Sequence, residues 1–243
     1  MTNGGDEEVL SRLTYVSSDG RRDNDGRVSP EQARSIDTIT IGEAWIAVAR
    51  LIMETGVEGT YDGRSMREVL MTTIVVRSPQ TTDDIVDRFA DPQRVAWMRA
   101  NFSDFNDVPE LGDAASYASR LHNYAGAGHD QLRWVVERLR GDPLSRSATI
   151  TTFQPLSDTD YIPCVSLLDF FLPDGSLHLV VYAHSIDFGA KGYANLLELA
   201  VIQDDVANEL GRPVGSLTMI VKSSHVYDND ANYVSSVLEN FPD

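Results

Sequence analysis

Pro173, Asp174 and Gly175 stand between two apolar runs, CVSLLDFFL (164–172) and LHLVVYAHS (177–185). Proline presets φ, aspartate bonds its own backbone and glycine accepts positive φ, so the triplet turns the chain and pairs the two runs as an antiparallel hairpin. The hairpin breaks the βαβ rhythm that a parallel sheet requires. A third strand-like run, SATITTF (147–153), precedes it. MREVLMTTIVV (66–76) is rich in β-branched residues and stops at Ser78-Pro79, and SLTMIVKSSHVY (216–227) reads as a final, central strand.

Helical spacing fills the intervals. From Thr40, TIGE forms a capping box, Trp45, Val48, Ala49 and Ile52 follow at helical spacing, and Gly56 closes the segment. TTDDIVDRFADPQRVAWMRANF predicts one or two short helices interrupted near Pro92. HDQLRWVVERLRGDP (129–143) puts Leu132, Val135, Val136 and Leu139 on one face and ends at Gly141 and Pro143. YANLLELAVIQDDVANELG (193–211) is the longest helix, capped by Gly211 and stopped by Pro213. The stretch 101–129, rich in Asp, Asn and Gly, reads as loops. Helices interleaved with antiparallel strands predict an α+β fold, one domain over residues 36–243. Residues 1–35, polar and without apolar periodicity, read as a flexible arm.

Charge narrows the partners. With 20 Lys+Arg against 37 Asp+Glu, the net charge of −17 repels nucleic-acid backbones and anionic membranes. A small anion held by converging arginines remains compatible. One cysteine forms no internal disulfide, and five scattered histidines do not make a structural zinc site. The N-terminus has no basic or apolar leader pattern and no stretch approaches a membrane span, so a soluble cytoplasmic protein is expected.

The single cysteine, Cys164, follows Pro163 where an acidic stretch turns apolar. Alone, it reads as a small buried hydrophobe, and it gains chemical meaning where neighbouring groups favour the thiolate. DPLSR (142–146) offers Arg146 from a turn. HSID (184–187) ends a strand with an imidazole, a hydroxyl and a carboxylate, and Asn195 stands eight positions beyond Asp187. SHVY (224–227) puts His225 and Tyr227 on one face of a strand.

Taken in order, the arginine turn, the Pro-Cys, the hairpin, Ser-x-Asp with its downstream Asn, the long helix and His-x-Tyr resemble the thymidylate synthase and pyrimidine-nucleotide hydroxymethylase family. The resemblance runs from about Ser116 to Tyr227. Chain length and HVY in place of HLY look closer to the phage deoxycytidylate hydroxymethylases and their cytidylate relatives than to ordinary thymidylate synthases.

The resemblance implies a mixed sheet flanked by helices, a homodimer, and 5,10-methylenetetrahydrofolate as the one-carbon donor. It gives Cys164 the role of the thiolate that adds to carbon 6 of a pyrimidine and makes carbon 5 nucleophilic. Tyr117 and Asp187 belong to the catalytic set, with Asp187 on the folate and proton-relay side. Arg146 is implied to reach the nucleotide phosphate from the partner subunit, beside His184 and Ser185. By the same resemblance, Asn195 is implied to read the pyrimidine edge, and His225 with Tyr227 to hold the sugar hydroxyl.

Departures accompany the match. Ser147 replaces a family arginine after Arg146, and His184 replaces the arginine ahead of Ser-x-Asp. Each charge-assisted hydrogen bond is worth roughly 1.5–3 kcal/mol, so a monophosphate needs compensation from Arg21, Arg22, Arg27 or Arg120. The family glutamate of Glu-x-x-Trp falls on Arg94 in RVAW (94–97), with Glu68 competing for the role. Lys191 stands where the family has a glycine, and Tyr117 lacks the glycine and tryptophan of its usual segment. Two further readings stay open: a relative acting on a nucleoside or other pyrimidine without folate, and a noncatalytic nucleotide-binding homodimer.

Overall fold

The computed structural model describes residues 14–16, 34–103, 108, 111–112, 114–159 and 161–242. In chain order the strands are β1 (Thr14–Val16), β2 (Arg34–Thr38), β3 (Val57–Tyr61), β4 (Arg64–Val76), β5 (Ala148–Thr151), β6 (Val165–Phe171), β7 (Leu177–Ala183), β8 (Ile186–Asp187) and β9 (Val214–Tyr227). The helices are α1 (Ile41–Thr55), α2 (Asp84–Phe89), α3 (Pro92–Ser103), α4 (Tyr117–His122), α5 (Gln131–Gly141), α6 (Gly192–Leu210) and α7 (Asp228–Leu238). One nine-stranded sheet runs β1-β2-β4-β9-β7-β6-β5, with β3 on β4 and β8 on β9. It is mixed, because β2–β4, β7–β9 and β8–β9 pair in parallel and the other ladders are antiparallel. The fold is α+β, as the interleaved pattern predicts.

The turn at Gly175, φ +89°, joins β6 to β7 as the Pro-Asp-Gly triplet requires. At the head of α1, Thr40 accepts from Glu43 N at 3.2 Å and the Glu43 carboxylate takes the N–H of Thr40 at 3.1 Å, closing the capping box. The double helix around Pro92 resolves into α2 and α3, with the proline at the first helical position, where its missing N–H costs nothing. β9 lies in the middle of the sheet.

Alternate residues of the central strands divide the sheet into two faces. Leu168, Phe170, Leu179, Val181, Leu217, Met219, Val221, Ile74 and Val76 are buried within the core that includes the helices. Their neighbours Leu167, Val180 and Ile220 are half-buried, and Tyr182 is 38% exposed, so the second face has less cover. Residues 192–200 of α6 are all buried, since α1, α3, α5 and the sheet pack around that half of the helix.

Some elements differ from the sequence reading. Within the predicted loop region, Ser116 caps α4 by accepting from Ser119 N at 3.1 Å; six residues are too few to display a helical period. Beyond Tyr227, α7 starts with Asp228 and Asp230 in its first turn and buries Val234 and Val237. The Asp62-Gly63 pair, with φ of 51° and 70°, turns β3 into β4 as a two-residue hairpin. Every residue of β3 is exposed, so no alternation marks it. In the 1–35 segment, Thr14–Val16 pairs antiparallel with Ser35–Asp37. Arg21, Arg22 and Arg27 lie outside the described residues.

Candidate functional site

The sheet topology brings together residues that are far apart in the chain. Cys164 sits immediately before β6, and its carbonyl accepts the N–H of His184, at the end of β7, at 3.0 Å. Tyr117 opens α4 and accepts the N–H of Val165 at 2.9 Å, fixing the backbone next to the thiol from the other side. Ser185 leads into β8, whose Asp187 stands opposite His225 in the β8–β9 register. Phe188 N–H donates to the His225 carbonyl at 2.8 Å, and Trp45 Nε1 of α1 donates to the Phe188 carbonyl at 3.0 Å. The turn from β8 to α6 is therefore held from below by the central strand and from the side by α1.

That turn is tight. A Cβ on Gly192 would lie 2.4 Å from the Phe188 ring, so only glycine lets α6 start here. Asp187 Oδ1 accepts from Gly189 N at 3.0 Å and Ala190 N at 3.2 Å. One helical turn on, the Asn195 amide donates to the Lys191 carbonyl at 3.0 Å, which leaves its carbonyl oxygen and one N–H for a ligand. His225 and Tyr227 meet edge to face with centroids 4.8 Å apart, and the Arg64 guanidinium covers the Tyr227 ring at 3.6 Å.

Burial dominates the electrostatics. It pushes the Cys164 thiol up, with Lys191 opposing and Asp187 adding to the effect. Asp187 is raised to about 6, first by burial and then by the charge of Asp230. His225 is lowered to about 4 by burial, and its Nδ1 is buried without a hydrogen-bond partner. His184 is lowered by burial and by Lys222, which makes it neutral at pH 7. Tyr117 is raised by burial and by the nearby thiol, and Tyr161 is pushed up to about 12 by the same causes.

Thus Cys164, Tyr117, His184, Ser185, Asp187, Asn195, His225 and Tyr227 share one region, linked by these bonds and registers. Arg146 does not join them. It is exposed in the turn before β5 and lines a groove with Leu144, Phe171 and Pro173. Nor is Arg120 free to meet a phosphate: it is 3% exposed, donates to both Asp158 oxygens at 2.7 and 2.9 Å, and also holds the Thr152 and Ala115 carbonyls. Both candidates for the family glutamate border the region. Arg94 donates to the Gly189 carbonyl at 3.0 Å and to Asp230 at 2.7 Å, while Glu68 stands opposite His225 in the β4–β9 register and accepts from Ser223 Oγ.

Sequence reasoning gave no role to Asp230, Arg64, Trp97 and Tyr161. Trp97 stands within RVAW and Arg64 just before the 66–76 run, whereas Asp230 lies in a helix beyond Tyr227 that the sequence reading did not include. No group of three or more His, Cys, Asp or Glu suited to a metal ion occurs among the described residues. Among the same residues no helix is long and apolar enough to cross a membrane.

The thymidylate synthase family model matches residues 79–243. This chain belongs to the thymidylate synthase family. It is 31% identical to a Methanosarcina barkeri protein described as "Putative thymidylate synthase", over 217 residues covering 86% of this chain and 96% of the relative. A Methanosarcina acetivorans protein of the same description is 32% identical over the same shares. A "Deoxyuridylate hydroxymethyltransferase" of Bacillus phage SP01 is 42% identical over 119 residues, 46% of this chain and 31% of the phage protein. As a thymidylate synthase family member the chain is a one-carbon transferase of pyrimidine nucleotide metabolism.

Proposed function

We propose that this enzyme transfers a one-carbon unit to carbon 5 of a pyrimidine nucleotide such as CMP, dCMP or dUMP, most simply as hydroxymethylation, through a covalent Cys164 adduct. The observation that carries the reading is the meeting of one thiol with an amide, a carboxyl that titrates near neutrality and a His–Tyr pair in a single region. Cys164 adds to carbon 6, and the temporary bond breaks ring conjugation so that carbon 5 becomes nucleophilic. The free edge of Asn195 accepts and donates together, matching the polar edge of a pyrimidine. His225, neutral and with an unpartnered Nδ1, and Tyr227 take the sugar hydroxyl.

Asp187 carries the proton traffic in this reading, since a group raised to about 6 exchanges protons readily near neutral pH. Its Oδ1 is held by two backbone N–H groups, so Oδ2 is available to a ligand. That acceptor is suited to the N–H groups of a pterin, whose polar edge Asp187 would hold. Methylenetetrahydrofolate, when bound, supplies the one-carbon unit.

The homodimer belongs to the same proposal. Arg146 is exposed away from the thiol of its own protomer, and the less covered sheet face carries Leu167, Tyr182 and Ile220. A partner packed on that face would receive Arg146 at its phosphate subsite, beside Ser185. A cytoplasmic location accords with these substrates.

The test is tritium release from carbon-5-labelled CMP, dCMP, UMP and dUMP, with and without methylenetetrahydrofolate, for the native chain and Cys164→Ser. Release that requires the thiol is expected from at least one nucleotide, and none from any of the four overturns the reading. A neutral His184 and a committed Arg120 favour a second reading, in which the substrate is a nucleoside without phosphate. Thermal stabilisation by a nucleoside exceeding that by its monophosphate would support it, and the reverse order would exclude it.

A further inference from the structure

We propose that Arg64 selects the sugar of the substrate: its guanidinium, carried over the Tyr227 ring by the β3–β4 hairpin, bonds the second hydroxyl of a ribose, so that the enzyme takes ribonucleotides ahead of deoxyribonucleotides. The inference rests on the reading in which His225 and Tyr227 hold one sugar hydroxyl, and it names the class of sugar that the reading left open.

The sheet register puts Arg64 at that end of the site. Met66 of β4 stands opposite Tyr227 of β9, and Arg64, two residues earlier, lies on the same face of β4. The Asp62-Gly63 turn places it directly after the hairpin tip, opposite Tyr61, which is 66% exposed. From there the guanidinium reaches to 3.6 Å from the Tyr227 ring centroid, and its charge opposes the upward push of burial on that phenol. The Ser185 end lies elsewhere. Ile186, next to Ser185, stands opposite Ser224, three positions and roughly 10 Å before Tyr227 along β9. Arg64 therefore serves the sugar end and not the subsite beside Ser185.

Arg64 is also uncommitted. Among the described residues no carboxylate lies within salt-bridge distance of it. Its neighbour Arg67, by contrast, donates to the Met53 carbonyl at 2.9 Å and lies 3.8 Å from Glu58. Contact with the Tyr227 ring uses the face of the guanidinium and leaves N–H groups along its edges. Those edges only donate, so they need an acceptor. His225, neutral and with an unpartnered Nδ1, and the Tyr227 hydroxyl together meet one sugar hydroxyl. A deoxyribose offers that hydroxyl alone, whereas a ribose adds an adjacent oxygen whose lone pairs can accept from the fork. Arg64 is exposed and its bond competes with water, which sets the preference at the lower end of a charge-assisted hydrogen bond, about tenfold.

Binding reads this preference without turnover or folate. Equilibrium dialysis compares CMP with dCMP and UMP with dUMP, and the parent nucleosides likewise, for the native chain and Arg64→Met. The native chain should bind the ribose form of the base it accepts about tenfold more tightly than the deoxyribose form. Arg64→Met keeps an apolar stem over Tyr227 and should bring that ratio to about one by weakening the ribose form alone. Arg64 is exposed, so native melting is expected of the variant, and a ratio taken within one sample is insensitive to partial unfolding. A native ratio near one overturns the proposal, as does an Arg64→Met chain that keeps the native ratio. Weakening of both monophosphates alike, with the nucleosides spared, would assign the guanidinium to the phosphate and overturn it as well. A ribose preference that Arg64→Met abolishes, in a protein that releases no tritium from any nucleotide, upholds the role of Arg64 and sinks the reaction reading alone. Thiol-dependent release without a ribose preference does the reverse, and failure of every ligand to bind overturns both.

Discussion

Arg94 of α3 is bonded to Asp230 of α7 at 2.7 Å while its second nitrogen holds the Gly189 carbonyl at 3.0 Å. An arginine in the RVAW segment thus ties the C-terminal helix to the turn after Asp187. Asp230 also raises Asp187, second only to burial. Asp230→Asn removes that repulsion and leaves the Arg94 charge less neutralised, and both effects point downward. Carboxyl NMR should find Asp187 titrating below its native midpoint near 6 but still above an ordinary aspartate, because burial remains; an unmoved midpoint would show that Asp230 plays no part.

Asp187 also makes stability depend on pH. Its folded value of about 6 exceeds the ordinary 3.8, so the folded chain holds the proton more tightly. The stabilisation is complete below the unfolded value and is lost as pH rises through the folded one. Asp187→Asn keeps the acceptor for Gly189 and Ala190 but cannot ionise. Urea unfolding should therefore show the variant gaining roughly 3 kcal/mol on the native chain between about pH 4 and pH 7. A constant difference across that window would contradict the assignment.

Tyr117→Phe deletes the acceptor for the buried Val165 N–H. An orphaned buried donor costs about 1–3 kcal/mol, so the urea midpoint should fall. Cys164 alkylation should lose its native rate as the backbone beside the thiol loosens. An unchanged midpoint would mean that another group takes over the N–H.

The Arg120–Asp158 pair is almost wholly buried, with side chains 3% and 7% exposed. Removing one partner of such a pair leaves an uncompensated charge at a cost of about 3–5 kcal/mol. Arg120→Met should show a loss of that size, and Arg120→Met combined with Asp158→Leu should recover a large part of it. If the double variant is no more stable than the single, the bonds of Arg120 to the Thr152 and Ala115 carbonyls carry the stability instead.

The strands and the long helices were legible because their periods run over enough residues to be read, as in 66–76, 193–211 and 216–227. α4 and β3 were not: the first makes fewer than two turns, and the second buries nothing. At the site, the order of short motifs named residues that the topology then brings to one place, with Arg146 outside it. Arg94, named only by its position in RVAW, owes its bond with Asp230 to the packing of α3 against the turn ahead of α6, a distance of 136 residues along the chain. The same holds for Arg120, whose availability could be judged only after Asp158 was seen folded against it. Sequence shows which charges exist, and tertiary structure decides which of them are already neutralised.

β9 is both the middle strand of the sheet and the carrier of His225 and Tyr227, whereas Cys164 stands just outside the β6 ladder. Freeing the His–Tyr end from its ladder means dismantling the whole molecule, but loosening the thiol end requires only a local excursion. One end of the site has the permanence of the fold, and the other keeps a faster clock. Evolutionary drift in what this chain accepts would then concentrate on the cysteine side, and the sugar side would act as the anchor against which new chemistry is tried.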